Sequence, residues 1–444
     1  MDKLSVADKA KRCLEDAIAY IAKYRTEYVH NPASDFTRER KLNMEDTMRL
    51  ILSMDGGSLA KELYEYFSIS NVQITPSGFV QQRSKLKSEA FYDLMRRFNQ
   101  SEIVRNRYKG YRVLAVDSSA INQPRDPELD SFMNTSTFPH GLNQTQMSAL
   151  YDVLNKTVLD VDLRPRPKMN EQAAMIEMLK RNDFHSKSII LMDRGYEGYN
   201  LFAHLIEKGN VDFLCRVRSN NGGMRIVKKL PMKELDRDIQ FELTTTQTKE
   251  DKEKNRLYIQ GARKDGKNYS PKTVNRAWDF ASPYTMKLRV VRFRLSSGEY
   301  ETIITTLPRF VFSIQDIKDL YHMRWGIETA FRDIKYTIGL INLHSKKEDL
   351  VMQEIYAALI MYNFSTRITG AVVVQKKEPT IYAYQVNFKM AVMLCKKFYR
   401  GTLAAGLDLI EEIGRHVEAV RPGRQDQRKL RYKRFAGFVY RVAA

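Results

Sequence analysis

Two short runs constrain the fold most: "VLAV" at residues 113–116 and "IILM" at residues 189–192, each free of polar residues and each followed at once by an aspartate. A strand with one wet face alternates apolar and polar residues, whereas an unbroken apolar strand must bury both faces. The two runs therefore predict fully apolar strands of a mixed α/β domain. Asp117 and Asp193 then stand where such strands end, which is where α/β sheets place their ligand sites. Acids also begin turns after strands for purely local reasons, so neither aspartate carries much weight alone.

The rest of the chain supplies the helices. Residues 1–108 read as helical, with 3.6-residue periodicity in "LEDAIAYIAKY" and "MEDTMRLILSM", the second stopped by Gly56 and Gly57. Thr75 and Pro76 suit an N-cap and a first helical position, and with the preceding "SLAKELYEYFSIS" they outline a helix-turn-helix-like pair. On that reading Gln81, Gln82, Arg83 and Lys85 face DNA; a helical bundle with a solvated polar face fits the same pattern equally well.

From residue 109 the runs "YRVLAVDSSAIN", "MSALYDVLN" and "VLDVDLRP" read as strands, followed by the helical "NEQAAMIEMLKRN", the strand "SIILMDRGY", a helix "GYNLFAHLIEKG" and a strand "DFLCRVRS". Residues 220–285 break this order with Lys, Glu, Asp, Gly and Thr and read as an insertion, with "TTTQTKEDKEKNR" as a hydrophilic turn. Strands resume in "KLRVVRFRLSSG" and "ETIITTLP" and lead into a helix; a buried helix follows at "LVMQEIYAALIMYNFSTRI". The expected architecture is α/β, a mixed-sheet core over 109–219 and 286–366 interrupted by a β-rich insertion subdomain at 220–285, with a helical DNA-binding region at 1–108 and a helical region with a basic tail at 367–444 for dimerisation or DNA contact.

Charge points to the partner. The 73 Lys and Arg against 53 Asp and Glu leave +20, a balance suited to a polyanion such as nucleic acid. No apolar run approaches the ~20 residues that span a bilayer, and the first residues lack a secretory apolar stretch, so a cytoplasmic protein with no membrane contact is expected. Cys13, Cys215 and Cys395 form no CxxC pair and read as inert thiols. Residues 421–441 hold eight basic residues and one acid among aromatics, a pattern that fits phosphate contact or a solvated end.

The helix after "ETIITTLP" carries the chemistry. Ser313 and Asp316 form a capping-box pattern that starts it near Ile314. At about 100° per residue with Tyr321 at zero, Arg324 falls near −60°, Glu328 near −20° and Lys335 near −40°, one narrow stripe. Leu320, Ile327, Phe331, Ile334 and Ile338 form an apolar seam beside it. Such a stripe is also what an ordinary surface set of i,i+4 ion pairs looks like.

The spacing of Tyr321, Arg324, Glu328 and Lys335, extended by Trp325 and Ile327 in "YHMRWGIE", resembles the YREK signature of bacterial DDE-class cut-and-paste transposases of insertion sequence family four. "AVDSSAIN", "LMDRGYEGY" and "IITTL" resemble that family's other segments, over about residues 109–365 outside the insertion. The resemblance implies a ribonuclease-H-like sheet on which Asp117, Asp193 and Glu328 are catalytic and hold two Mg²⁺ or Mn²⁺ ions. It implies that Tyr321, Arg324 and Lys335 grip DNA phosphates. It also implies cleavage of double-stranded DNA at transposon ends through a hairpin, joining of the 3′-hydroxyl ends to target DNA, and a homodimer that synapses two ends in the bacterial nucleoid. An aromatic from the insertion would stack on a flipped base, with Trp278 the candidate beside an equally good core-packing reading, and Trp325 expected to pack. Arg194 either approaches DNA or pairs with a carboxylate. A DNA-binding regulator without cleavage, or a stand-alone nuclease on the same fold, remains open beside the transposase.

Overall fold

The two unbroken apolar runs are inner strands of one sheet, and their residues divide between its faces. In the computed structural model, which describes residues 5–420 apart from 39, 69–72, 102–103, 137, 220–222, 260–277 and 375–381, Val113 and Ala115 of β1 (Arg112–Gln123) join one core while Leu114 and Val116 join another. β5 (Ser188–Met192) repeats the division, with Ile189 and Leu191 on the first side and Ile190 and Met192 on the second. Period-2 alternation sends successive side chains to opposite faces, so helices on both faces demand apolar residues at every position.

Among the described residues the sheet has ten strands. β1, β5 and β6 (Val211–Val217) run parallel at its centre. On one side β1 pairs antiparallel with the long β3 (Phe138–Asp152), which carries β2 (Phe132–Thr135) along its first part and β4 (Thr157–Pro165) along its second. On the other side come β10 (Tyr300–Thr305), β9 (Tyr284–Arg294), β7 (Leu235–Thr244) and the two-residue β8 (Leu257–Tyr258). β7 lies in the stretch read as an insertion, yet it pairs with β9 from Leu235 opposite Arg292 to Leu243 opposite Tyr284, so that stretch widens the main sheet. The hydrophilic "TTTQTKEDKEKNR" contains a short helix, Lys249–Glu253, started by a Thr248–Asp251 capping box rather than a simple turn.

Helices Glu171–Arg181 and Tyr199–Glu207 cover the smaller face, bringing Met175, Leu179 and Phe202 onto Val116, Ile190 and Phe213. The larger face carries Val6–Lys23, Met44–Ser53, Glu89–Gln100 and the 22-residue Glu348–Thr369, whose Ile355, Leu359 and Phe364 are fully buried. Among the described residues no helix is long and apolar enough to cross a membrane. The basic stretch at 421–441 lies outside the described residues.

The N-terminal helices are tied into this layer through the short helix Pro76–Arg83, capped by Thr75 with Pro76 in its first turn. Here the structure corrects the DNA-facing assignment. Arg83 is 1% exposed: its Nη1 donates to Glu354 at 2.9 Å, its Nε to Gln353 at 3.1 Å and its Nη2 to the Leu350 carbonyl at 2.7 Å. Gln82 is also buried and donates to the Leu42 carbonyl, and the half-buried Lys85 donates to Gln82 and lies over the Phe36 ring. Only Gln81 of the four is exposed. A polar run reads alike whether water or a buried partner satisfies it, and the partner here lies some 270 residues away.

Burial alone would push the Glu354 carboxyl up, but Arg83 and then His344 hold it at about 2. Replacing Arg83 with Met leaves that carboxylate buried without its main counter-charge, and we expect a loss of about 3–5 kcal/mol in urea unfolding at pH 7. Because the folded carboxyl is depressed, the stability it contributes in the native protein is present above about pH 4.5 and is lost as pH falls toward 2, whereas Glu354→Gln flattens that limb. An Arg83→Met protein of native stability would contradict the buried anchor.

Candidate active site

The β1–β5 ladder places the two aspartates. It runs in parallel from Arg112 opposite Ser188 to Ala115 opposite Leu191, a register that continued by two residues sets Asp117 opposite Asp193. β5 ends at Met192, so the carboxylates lie where the two strands part. Asp193 caps the short turn Arg194–Tyr196 and accepts from the Gly195 amide at 2.8 Å. A Cβ at Gly195 would stand 3.0 Å from both Asp193 Oδ1 and Glu171 Oε2, so a side chain there would crowd two acids.

The third carboxylate comes from the larger helical layer. The predicted capping box forms: Ser313 accepts from the Asp316 amide, while Asp316 accepts from Ser313, from the Tyr108 hydroxyl at 2.6 Å and from Lys109 at 2.7 Å. This pins the helix start beside the start of β1. The helix itself is not one continuous α-helix. It runs Ile314–Met323, tightens at Arg324, resumes as Trp325–Arg332 and widens into a π-turn at Asp333–Thr337. The apolar seam is buried as expected, Leu320, Ile327 and Ile334 completely. The stripe is less exposed than a rim position implies, with Tyr321 and Arg324 only 7% and 6% accessible.

Arg324 organises the site. Its Nη2 donates to Glu328 at 3.0 Å, its Nη1 lies 3.5 Å from Asp117, and its guanidinium packs against the rings of Tyr321 and Trp325. Burial, followed by the neighbouring Asp193 and Glu328 charges, pushes the Asp117 carboxyl up to about 6, although the Ser118 amide and Arg324 pull the other way. Thus Asp117, Asp193 and Glu328 share one electrostatic neighbourhood. Among the described residues no group of three or more His, Cys, Asp or Glu side chains is placed so that it could hold a metal ion. The donors nonetheless suit Mg²⁺ or Mn²⁺: they are carboxylate oxygens, mutually repelling, with Arg324 as the cation that now offsets two of them.

The remaining predicted residues occupy distinct places. Lys335 is half-buried in the π-turn and donates from Nζ to the Ala120 carbonyl at 2.7 Å, on the part of β1 that extends past β5. Arg194 is exposed and its charge lowers the Glu301 carboxyl that burial raises. Trp278 sits away from these acids in a cluster with Phe280 and Tyr284 on the smaller-face core, its Nε1 donating to the Ala281 carbonyl at 3.4 Å. Trp325, expected to pack, is 49% exposed.

Three groups escaped the sequence reading. Glu171 is half-buried beside Asp193 and hydrogen-bonded to Ser118, but as the first residue of a helix capped by Asn170 it looks like an ordinary dipole-compensating acid. Arg216 and Glu301 face each other across β6 and β10 at 3.0 Å, and Arg216 reaches the Tyr321 hydroxyl. A charge inside "FLCRV" was the available signal, since an arginine within a buried strand needs an acidic partner.

The raised Asp117 carboxyl costs stability once ionised, so the sign is opposite to that of Glu354. Without divalent ions this contribution is neutral below about pH 4 and increasingly unfavourable as pH rises through about 6. Asp117→Asn should therefore be more stable than the native protein at pH 7.5 by about 1–3 kcal/mol, with the gap closing toward pH 4. Urea unfolding in EDTA at the two pH values measures it; a variant less stable at pH 7.5 would mean that the Arg324 contact outweighs the repulsion.

Comparison with known proteins bears on the same residues. The family described as "Transposase DDE domain" matches residues 108–364, a span that contains Asp117, Asp193 and Glu328. A Geobacillus stearothermophilus protein described as "Probable transposase for insertion sequence element IS5377" is 35% identical over 78 residues, 18% of this chain and 20% of that one. The transposase InsG for insertion sequence element IS4 of Escherichia coli K12 is 44% identical over 50 residues, 11% of each chain. The chain thus aligns with no more than about a fifth of the length of these curated relatives. A piggyBac transposase synaptic complex with hairpin DNA superposes over 93% of this chain and 84% of its own at 11% identity and a TM-score of 0.43. Since the family match takes in more than half of the 444 residues, including both aspartate strands and the glutamate helix, this chain belongs to the transposase DDE domain family.

Proposed function

We propose that the protein is the transposase of an insertion sequence, which binds the ends of its element, cuts them and joins the freed 3′-hydroxyl ends to target DNA. The observation that carries this reading is the meeting of Asp117 and Glu328 on one guanidinium, with Asp193 opposite Asp117 in the extended β1–β5 register. Charge supports the substrate: at +20 the chain suits a polyanion.

The division of labour follows from the side chains. Asp117, Asp193 and Glu328 offer oxygen ligands and would hold two Mg²⁺ or Mn²⁺ ions in a ribonuclease-H-like core. When bound, such ions supply Lewis acidity to the attacking and leaving oxygens of an in-line displacement at phosphorus. Arg324 then exchanges carboxylates for phosphate oxygens, a bidentate partner its planar fork fits equally well. Tyr321, hydrogen-bonded to Arg216, orients a hydroxyl beside it, and Lys335 adds a point charge further along β1. Burial of Tyr321 and Arg324 excludes water from these contacts and strengthens them.

Passage through a hairpin requires a base to leave the stack near the cut. Trp278, half-buried and in edge contact with Phe280 and Tyr284, is one candidate for holding it, and the exposed indole of Trp325, next to Arg324 in sequence, is another. Joining two ends at once favours a homodimer acting in the bacterial nucleoid.

The test is incubation of the purified protein with linear DNA carrying the sequences that flank its own reading frame, in Mg²⁺ or Mn²⁺. We expect cuts at two defined flanking sites, followed by strand joining, with a loss of about 10³-fold or more in Glu328→Gln, the order seen when one transition-state contact is removed. Site-specific binding without metal-dependent cutting would instead favour a regulator, and cutting without joining a nuclease.

A further inference from the structure

The turn that begins at Asp193 has a second acid at its far end. Glu197 follows the turn Arg194–Tyr196, and its carboxylate accepts the Arg218 amide on one oxygen at 3.0 Å and the Met224 amide on the other at 2.7 Å. One side chain thus ties down two points of the connection between β6 and the short helix Arg225–Lys228. A Cβ at Gly223 would collide with the Arg218 carbonyl oxygen, so the backbone of Arg218 is closed in from that side as well. The turn itself is braced from behind: Gln172, 7% exposed, donates from Nε2 to the Glu197 carbonyl at 3.1 Å and to the Gly195 carbonyl at 3.4 Å.

This fixed backbone presents an arginine beside the acids. In the parallel β5–β6 ladder Met192 lies opposite Cys215, a register that continued by one residue sets Asp193 opposite Arg216. Cys215 and Val217 belong to the smaller-face core, so alternation sends Arg216 to the other face, where it meets Glu301 at 3.0 Å and the Tyr321 hydroxyl. Arg218 is the next residue of that parity, about 7 Å further along the chain. Arg216 is engaged by Glu301, and Arg324 by Asp117 and Glu328. Arg218 differs: it is exposed, and among the described residues no carboxylate lies within ion-pair range of it. Glu197 is its nearest acid in effect, but both oxygens of that carboxylate take backbone amides.

Glu197 is half-buried, and burial of a carboxylate is costly unless its hydrogen bonds compensate. Using such a group to fix a surface connection makes sense where that connection must keep one shape. A guanidinium on a fixed backbone loses less freedom when it grips a ligand, and its planar fork matches two oxygens of a phosphodiester.

We propose that Arg218 grips a backbone phosphate of the bound DNA on the β6 side of the acids, and that Glu197 is the positioning residue that holds Arg218 there. The proposal rests on the transposase reading for its DNA and adds a contact outside the Tyr321–Lys335 stripe.

The experiment is a salt titration of binding to linear DNA carrying the flanking sequences, in EDTA. It compares the native protein with Arg218→Gln, Arg218→Lys, Glu197→Ala, the double variant Arg218→Gln/Glu197→Ala, and Arg309→Gln. Losing one phosphate contact lowers the slope of log K against log salt by about 0.9. We expect that decrement in Arg218→Gln and a native slope in Arg218→Lys and in Arg309→Gln, whose charge is already paired with Asp238 at 3.1 Å. Glu197→Ala should weaken binding by about 5-fold when Arg218 is present and leave it unchanged when Arg218 is already Gln, the signature of two coupled groups. A loss of folding would weaken both backgrounds alike. A native slope in Arg218→Gln would overturn the phosphate contact while leaving the transposase reading intact, and equal weakening by Glu197→Ala in both backgrounds would overturn the positioning role. No salt-dependent DNA binding by the native protein would overturn the inference and the transposase reading together.

Discussion

Everything at the centre of this protein depends on bringing carboxylates together without letting their repulsion open the fold. Arg324 provides the balance. Buried between Tyr321 and Trp325 and paired with Asp117 and Glu328, it joins the glutamate helix to β1 through charge as well as through the apolar seam. The site remains costly even so, since the Asp117 carboxyl stays well above its ordinary range. On the proposed reading that cost belongs to a group that works with a bound cation, and it would tie the stability of the sheet edge to what occupies it.

The scaffold around the site is correspondingly well anchored. The helix carrying Glu328 is held at its start by Tyr108, Lys109 and Ser313 on Asp316, and along its length by Leu320, Ile327 and Ile334. Behind it, Glu348–Thr369 links the N-terminal helices to the sheet: Glu354 and Gln353 take Arg83, and Asn363 holds the Val158 backbone of β4. The tightening at Arg324 and the π-turn at Asp333–Thr337 are the two irregular points of this element, and both coincide with residues of the Tyr321–Lys335 stripe. Local departures from α geometry re-aim side chains that a straight helix would place elsewhere.

Much of this was legible in the sequence because short-range rules govern it. The unbroken runs before Asp117 and Asp193 announced apolar strands, the Ser313–Asp316 box announced a helix start, and the seam through Leu320 and Ile327 announced its packed side. What stayed hidden depends on distant partners. Nothing near Arg83 reveals Glu354, and nothing near Arg216 reveals Glu301, so one reads as a DNA contact and the other as an unexplained charge. The exposure of Trp325 was readable and misread, because at about +40° on the same wheel it stands away from the apolar seam. The widening of the sheet by β7 required knowing that a hydrophilic stretch would find the edge of β9.

The central claim is that Asp117, Asp193 and Glu328 form one divalent-ion site from which Arg324 can be displaced. Mn²⁺ binding followed by electron paramagnetic resonance, with a duplex carrying one flanking end, addresses it directly. The account predicts bound Mn²⁺ in the native protein and an affinity lowered about 10-fold or more by either Asp193→Asn or Glu328→Gln, a loss of at least about 1.4 kcal/mol per ligand. Equal Mn²⁺ affinity in all three proteins would contradict it, and would leave the acids as a structural ion-pair cluster around Arg324.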